Sequence, residues 1–145
     1  MTQEDKELLF IDLCGRIPYK VRMFEIEPIN DIQSNLTLLS VTNKESVICI
    51  TPSGGVIGSS IDAFKPYLFP LSSMTEEQRE EFLNIQTEER QILLNALIEY
   101  KSGKYDKIPI IAPYKQIEWL NKNHFDYRGL IEKGLAIDAT DKNIY

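Results

Sequence analysis

Two hydrophobic patterns divide this chain, and they constrain its fold more than any other feature. Up to Ser72 the apolar residues come in short runs broken by Pro18, Pro28, Pro52-Ser53-Gly54-Gly55, Pro66 and Pro70. After Thr75 they recur at helical spacing. Strands that alternate at period two and helices with a 3.6-residue stripe cannot exchange places. The order of the patterns therefore predicts an α+β domain with the sheet first and helices later.

A helix comes before the strands. Thr2 is a suitable N-cap, with Glu4 and Asp5 in the first turn, and Leu8, Leu9, Asp12 and Leu13 give a helix with an apolar stripe. Gly15 is expected to end it, and Pro18 to prevent its resumption. Strands are expected at Tyr19–Glu27, Leu36–Thr42, Val47–Thr51 and Val56–Phe64, with Pro28–Ser34 as a turn. Asn43-Lys44-Glu45 reads as a hairpin loop. Together these give a small antiparallel meander of three to five strands. Tyr67-Leu68-Phe69, between two prolines, reads as an extended crossing segment.

Thr75 and Gln78 fit a capping box at the head of the longest helix. Phe82, Ile85, Ile92, Leu93, Ala96, Leu97 and Tyr100 should mark its buried face. Glu76, Glu77, Glu80, Glu81, Glu88 and Glu89 should form a solvated one. The polar stretch Gln86–Arg90 leaves open whether the helix is continuous. A loop through Ile108–Ala112 leads to Pro113, which suits the first turn of a helix from Tyr114 to about Lys122. Asp126 should cap a short last helix from Tyr127 to near Gly134, which makes the C-terminal half helical. The 145 residues read as a single domain, 1–145.

Composition narrows the function classes. Sixteen basic residues face 22 acidic ones, a net charge of −6. That opposes a general nucleic-acid binder and an anionic membrane surface, and it suits a basic partner. No apolar run approaches transmembrane length, and the N-terminus does not resemble a signal peptide, so a cytoplasmic location is expected. Cys14 and Cys49 have no metal or redox spacing. Cys49 lies in an apolar run and is expected to be a buried thiol. With no cluster of Cys, His and carboxylate, no metal or cofactor is expected.

Chemistry concentrates in Ile117–Ile131, which holds Trp119, His124, Asp126, Tyr127 and Arg128. The tryptophan and the histidine are the only ones in the chain. These five residues, together with the Pro66–Pro70 segment, are the candidate interaction surface. Three uses compete. The first is contact with another protein. The second is stacking of bases by Trp119, Tyr127 and Arg128, in an accessory protein of a mobile element. The third is a hydrolase built on His124 and Asp126. His124 should follow a helix, where the dipole favours a protonated imidazole. Cys14 near the end of the first helix is a poor nucleophile, because the dipole there opposes a thiolate. Gly54-Gly55-Val56-Ile57-Gly58-Ser59-Ser60 lacks the lysine of a phosphate-binding loop and reads as a glycine turn.

Two segments carry a resemblance: Lys65-Pro66-Tyr67-Leu68-Phe69-Pro70-Leu71-Ser72-Ser73-Met74-Thr75-Glu76-Glu77, and Trp119 through Ala136. With the opening helix, they resemble a family of short uncharacterised bacterial proteins, some carried by prophages or mobile elements. The resemblance covers about half of the chain. It implies no activity, cofactor or catalytic residue, only an accessory role that is expected to be linked to mobile DNA.

Overall fold

The computed structural model describes residues 1–26, 36–104 and 114–145. The expected turn at Pro28–Ser34 and the loop at Ile108–Ala112 lie outside them. The chain forms two compact units, one of residues 1–73 with 121–145 and one of residues 74–120.

The first unit opens with α1 (Gln3–Arg16), and its cap is the one the sequence implies. Asp5 N–H donates to Thr2 Oγ1 at 3.1 Å, and Thr2 N–H donates back to the Asp5 carboxylate at 3.1 Å. Gly15 does not end this helix. A Cβ there would meet Asn121 Nδ2 at 2.9 Å, so the glycine serves close packing. A 3-10 turn at Ile17–Tyr19 follows, and Lys20 at φ 55° leads out of it.

Strands β1 (Arg22–Glu25), β2 (Leu36–Thr42), β3 (Ser46–Ile50) and β4 (Val56–Ser60) pair antiparallel in sequence order. Strand β5 (Phe64–Pro70) returns to the free side of β1, pairing Met23 with Pro66 and Glu25 with Phe64. Only Ile61–Ala63 connects β4 to β5. In a flat sheet the jump is four strand spacings, roughly 19 Å. The link spans at most about 14 Å. The sheet must therefore curl strongly across β1–β4. A bulge between Leu38 and Ser40 turns Leu39 out to solvent and adds twist.

The sheet has more strands than the three to five expected, and it is mixed. Two additional pairs, β6 (Phe125–Asp126) and β7 (Ile137–Asp138), run parallel to β5. Two-residue strands carry no alternation that could be read in advance. The segment between the prolines is no crossing either, because Pro66–Pro70 belongs to β5. Residues 64–66 pair with β1 and residues 67–70 with β7 and β6. Pro66, which has no N–H to give, sits where the partners change. The expected last helix is absent. Residues 127–136 form hydrogen-bonded turns, with Gly129 and Gly134 at positive φ (71° and 69°), a region that glycine enters freely.

Leu9 and Leu13 of α1 join Val21, Met23, Leu36, Leu38, Val47, Cys49, Ile61, Phe64, Leu68, Leu130, Leu135 and Ala136 in one core. The Cys49 thiol is buried there as expected, and burial pushes its pKa up to about 12.

The second unit holds α2 (Glu76–Lys101) and most of α3 (Tyr114–Lys122). The Thr75–Gln78 box closes in both directions, at 2.9 and 3.2 Å. Helix α2 runs without interruption through Gln86–Arg90. Phe82 packs on Trp119, with ring centroids 5.4 Å apart. Glu89, expected on the solvated face, is buried. Its carboxylate accepts Lys115 N–H at 2.8 Å and Gln116 Nε2 at 2.7 Å, so it holds the otherwise unpaired N–H of the first turn of α3. Leu93, expected in the buried face, is 42% exposed.

Candidate functional site

The sequence places Asp12 and Arg16 one turn apart on α1, the spacing at which helical side chains meet. Both are fully buried. Arg16 Nε donates to Asp12 Oδ2 at 2.6 Å, and Nη2 donates to Asp12 Oδ1 at 3.1 Å. Arg16 Nη2 also donates to the carbonyl of Phe125, in β6, at 2.8 Å. One guanidinium thus ties α1 to the segment the sequence singled out. Burying this pair removes two charges from water, and only close, multiple hydrogen bonds offset that cost.

Arg128 approaches the same carboxylate, its Nε 3.4 Å from Asp12 Oδ1. Both cations also lie over the Tyr127 ring. The Arg16 guanidinium is 5.6 Å from its ring centroid and that of Arg128 is 5.0 Å, both within cation–π range. Arg16 Nη1 is buried and has no hydrogen-bond partner among the described residues.

Asp126 does not cap a helix. Its Oδ1 accepts Leu130 N–H at 2.9 Å and its Oδ2 accepts Ile131 N–H at 2.8 Å, which fixes the glycine-flanked turn. Asp126 does take up free N–H groups that follow it, as its position implies, but they belong to a turn and not to a helix.

His124 follows α3 at φ 59°, and its carbonyl accepts Phe69 N–H of β5 at 2.9 Å. The imidazole stacks on Tyr145, with centroids 3.9 Å apart and planes 15° from parallel. Tyr145 also packs on Phe69, and its hydroxyl donates to the Tyr67 carbonyl at 2.7 Å and accepts Arg22 N–H at 3.1 Å. Burial pushes the Tyr145 phenol above its usual range. Burial, with Arg16 and Arg22 nearby, lowers the His124 pKa to about 4. The imidazole is therefore neutral at pH 7, against the expectation of a dipole-stabilised cation. Its Nδ1 has no hydrogen-bond partner among the described residues, and both Asp126 oxygens are engaged by main-chain N–H groups.

Of the five candidate residues, four share the first unit. Trp119 belongs to the second, where it is buried against Phe82. Asp126 is buried, and His124, Tyr127 and Arg128 are half-buried. Sequence reading missed Asp12, Arg16 and Tyr145. The i,i+4 spacing of an acid and an arginine could have found the first two. Among the described residues no group of three Cys, His, Asp or Glu side chains is placed to hold a metal ion, and no helix is long and apolar enough to cross a membrane. Set beside known protein families, curated sequences and solved structures, the chain matches none.

Proposed function

We propose that the protein is a non-enzymatic interaction module that holds a partner protein through α2. One observation carries this reading. Leu83, Ile92, Leu93, Leu94 and Ile98 of α2 are 42–57% exposed. Leu83, Leu94 and Ile98, spaced i, i+11 and i+15, lie along one stripe at 100° per residue. From Gln91 to Glu99 only Gln91, Asn95 and Glu99 are polar. A helix apolar nearly all round is a helix that something covers.

The partner's chemistry follows from charge. Ahead of the stripe, Glu76, Glu77, Glu80 and Glu81 are exposed, with Arg79 the one cation among them. An amphipathic helix of the partner, apolar on one face and basic at one end, complements both halves of α2. Covering five half-exposed side chains contributes about 4–8 kcal/mol gross. Association costs about 4–15 kcal/mol. Apolar contact alone therefore makes a weak complex, and the acidic half supplies orientation and the remainder.

The other two readings gain no support from the geometry. Tyr127 is engaged by two guanidiniums and Trp119 is buried, so neither ring is open for a base to stack on. His124 Nδ1 and the Asp126 oxygens do not form a catalytic pair.

The test uses a fluorescent helical peptide of leucine and lysine, with an acidic peptide of the same apolar pattern as control. The basic peptide should bind, more weakly at high salt, and Leu94→Ser with Ile98→Ser should abolish binding without lowering the melting temperature. Equal binding by the double variant would remove the stripe as the docking surface. Concentration-dependent self-association lost in the same variant would assign the stripe to a second copy.

A further inference from the structure

The cluster around Asp12 carries more positive charge than its contacts use. One carboxylate is shared by two guanidiniums, Arg16 at 2.6 and 3.1 Å and Arg128 at 3.4 Å. Arg16 is fully buried, yet its Nη1 meets no acceptor among the described residues. A buried donor without an acceptor is costly, and a charged one more so. The side chain of Arg128 is 30% exposed, whereas those of Asp12 and Arg16 are at 0%. Its Nε is also without a hydrogen bond, because 3.4 Å to Asp12 is a long contact. Tyr127 orients both cations from its ring.

We infer that Arg16 and Arg128 form a receptor for a small oxyanion, a phosphate or carboxylate group, which enters past Arg128 and takes the unused N–H groups of both guanidiniums. Guanidinium forks match such anions in charge and in planar donor spacing. Asp12 does not exclude the anion, because its own charge is offset by Arg16. It acts as a positioning residue that holds the Arg16 fork in place. The long Arg128–Asp12 contact is the one that opens, and it involves the half-exposed partner. The surrounding potential agrees with this reading. Behind burial, Arg16 and Arg22 are the next causes that keep the His124 imidazole neutral. This site lies in residues 1–73 with 121–145, so it stands or falls independently of the α2 surface.

The experiment is thermal unfolding of the full chain in sodium phosphate, sodium acetate or sodium chloride at matched ionic strength. A saturable rise of a few degrees over chloride is expected with one of the two oxyanions. Phosphate alone would assign a phosphate ligand, and acetate alone a carboxylate one. Arg128→Gln should remove the rise while the far-ultraviolet circular dichroism stays unchanged, since Arg16 still holds Asp12. Should that variant fail to fold, Arg128→Lys serves instead. It keeps the charge without the fork, and the concentration giving half the rise should increase at least several-fold. Responses equal to chloride for both anions, or an Arg128 variant that responds as the native chain does, would overturn the assignment.

Discussion

The neutral imidazole of His124 gives the protein an acid-sensitive element whose size follows from its surroundings. The ring is covered by Tyr145 at 3.9 Å, and its pKa falls from 6.5 to about 4, first through burial and then through Arg16 and Arg22. In the unfolded chain the same imidazole takes a proton near pH 6.5. Between the two values the unfolded state binds more protons, so stability is fully present above pH 6.5 and is lost as pH falls toward 4. Integrating the two titrations from pH 7 to pH 4.5 gives a loss of about 2.4 kcal/mol from this one residue. Carboxylates that titrate in the same range would blur the result, so the comparison is with His124→Asn. Asparagine tolerates the positive φ of this position and does not titrate. Urea unfolding of both proteins at pH 7 and 4.5 should show the native chain losing about 2 kcal/mol more than the variant. His124 is the only histidine, so its Cε1 proton resonance reports the native pKa without assignment. A midpoint at or above 6.5 in the folded protein, or equal losses for the two chains, would refute the reasoning.

Three other expectations are independent of His124. Asp12→Ala leaves two guanidiniums around an empty carboxylate position, and urea unfolding should show a loss of about 3–5 kcal/mol; a loss under about 1 kcal/mol would mean that the pair is not buried. Asp126→Ala deprives the N–H groups of Leu130 and Ile131 of their acceptors, and at about 1–3 kcal/mol each it should destabilise by roughly 2–6 kcal/mol, more than a simple helix cap would. Of the two thiols, Cys14 is exposed and should react with a disulfide reagent in the native state, whereas Cys49 is fully buried with its pKa near 12 and should react only on unfolding; two fast thiols would place Cys49 outside the core.

What could be read from the sequence was local. The Thr2 and Thr75 caps, the Asn43–Glu45 hairpin and the start of α3 each rest on residues within one turn of each other, and all appear as expected. The errors arise where a partner distant in sequence decides. Residues 127–136 have the spacing of a short helix, yet Phe125 and Asp126 pair with Phe69 and Pro70 of β5, and two glycines at positive φ bend the chain into turns instead. Glu89 is one of six similar glutamates on a helix, and only the approach of Lys115 and Gln116 makes it a buried acceptor. His124 shows the same limit at the candidate site. Its position after a helix argues for a cation, but Tyr145, 21 residues later, covers the ring and reverses the preference.

The same reasoning explains why the Ile117–Ile131 stretch holds so much chemistry and yet so little of it is open to solvent. Tyr127, Arg128 and Asp126 are there to bind α1 and to shape the turn after β6, through Asp12, Arg16 and two main-chain N–H groups. Polar residues committed in this way leave few groups for an external ligand. What they leave is specific: one unused face of a buried guanidinium, and beside it a half-exposed one held by a single long contact. A purely structural cluster would be expected to balance its charges and satisfy its donors, since each orphaned group costs stability. The excess of cation at Asp12 is therefore a feature of this unit that packing alone does not account for, and it is the reason to look for an anion there.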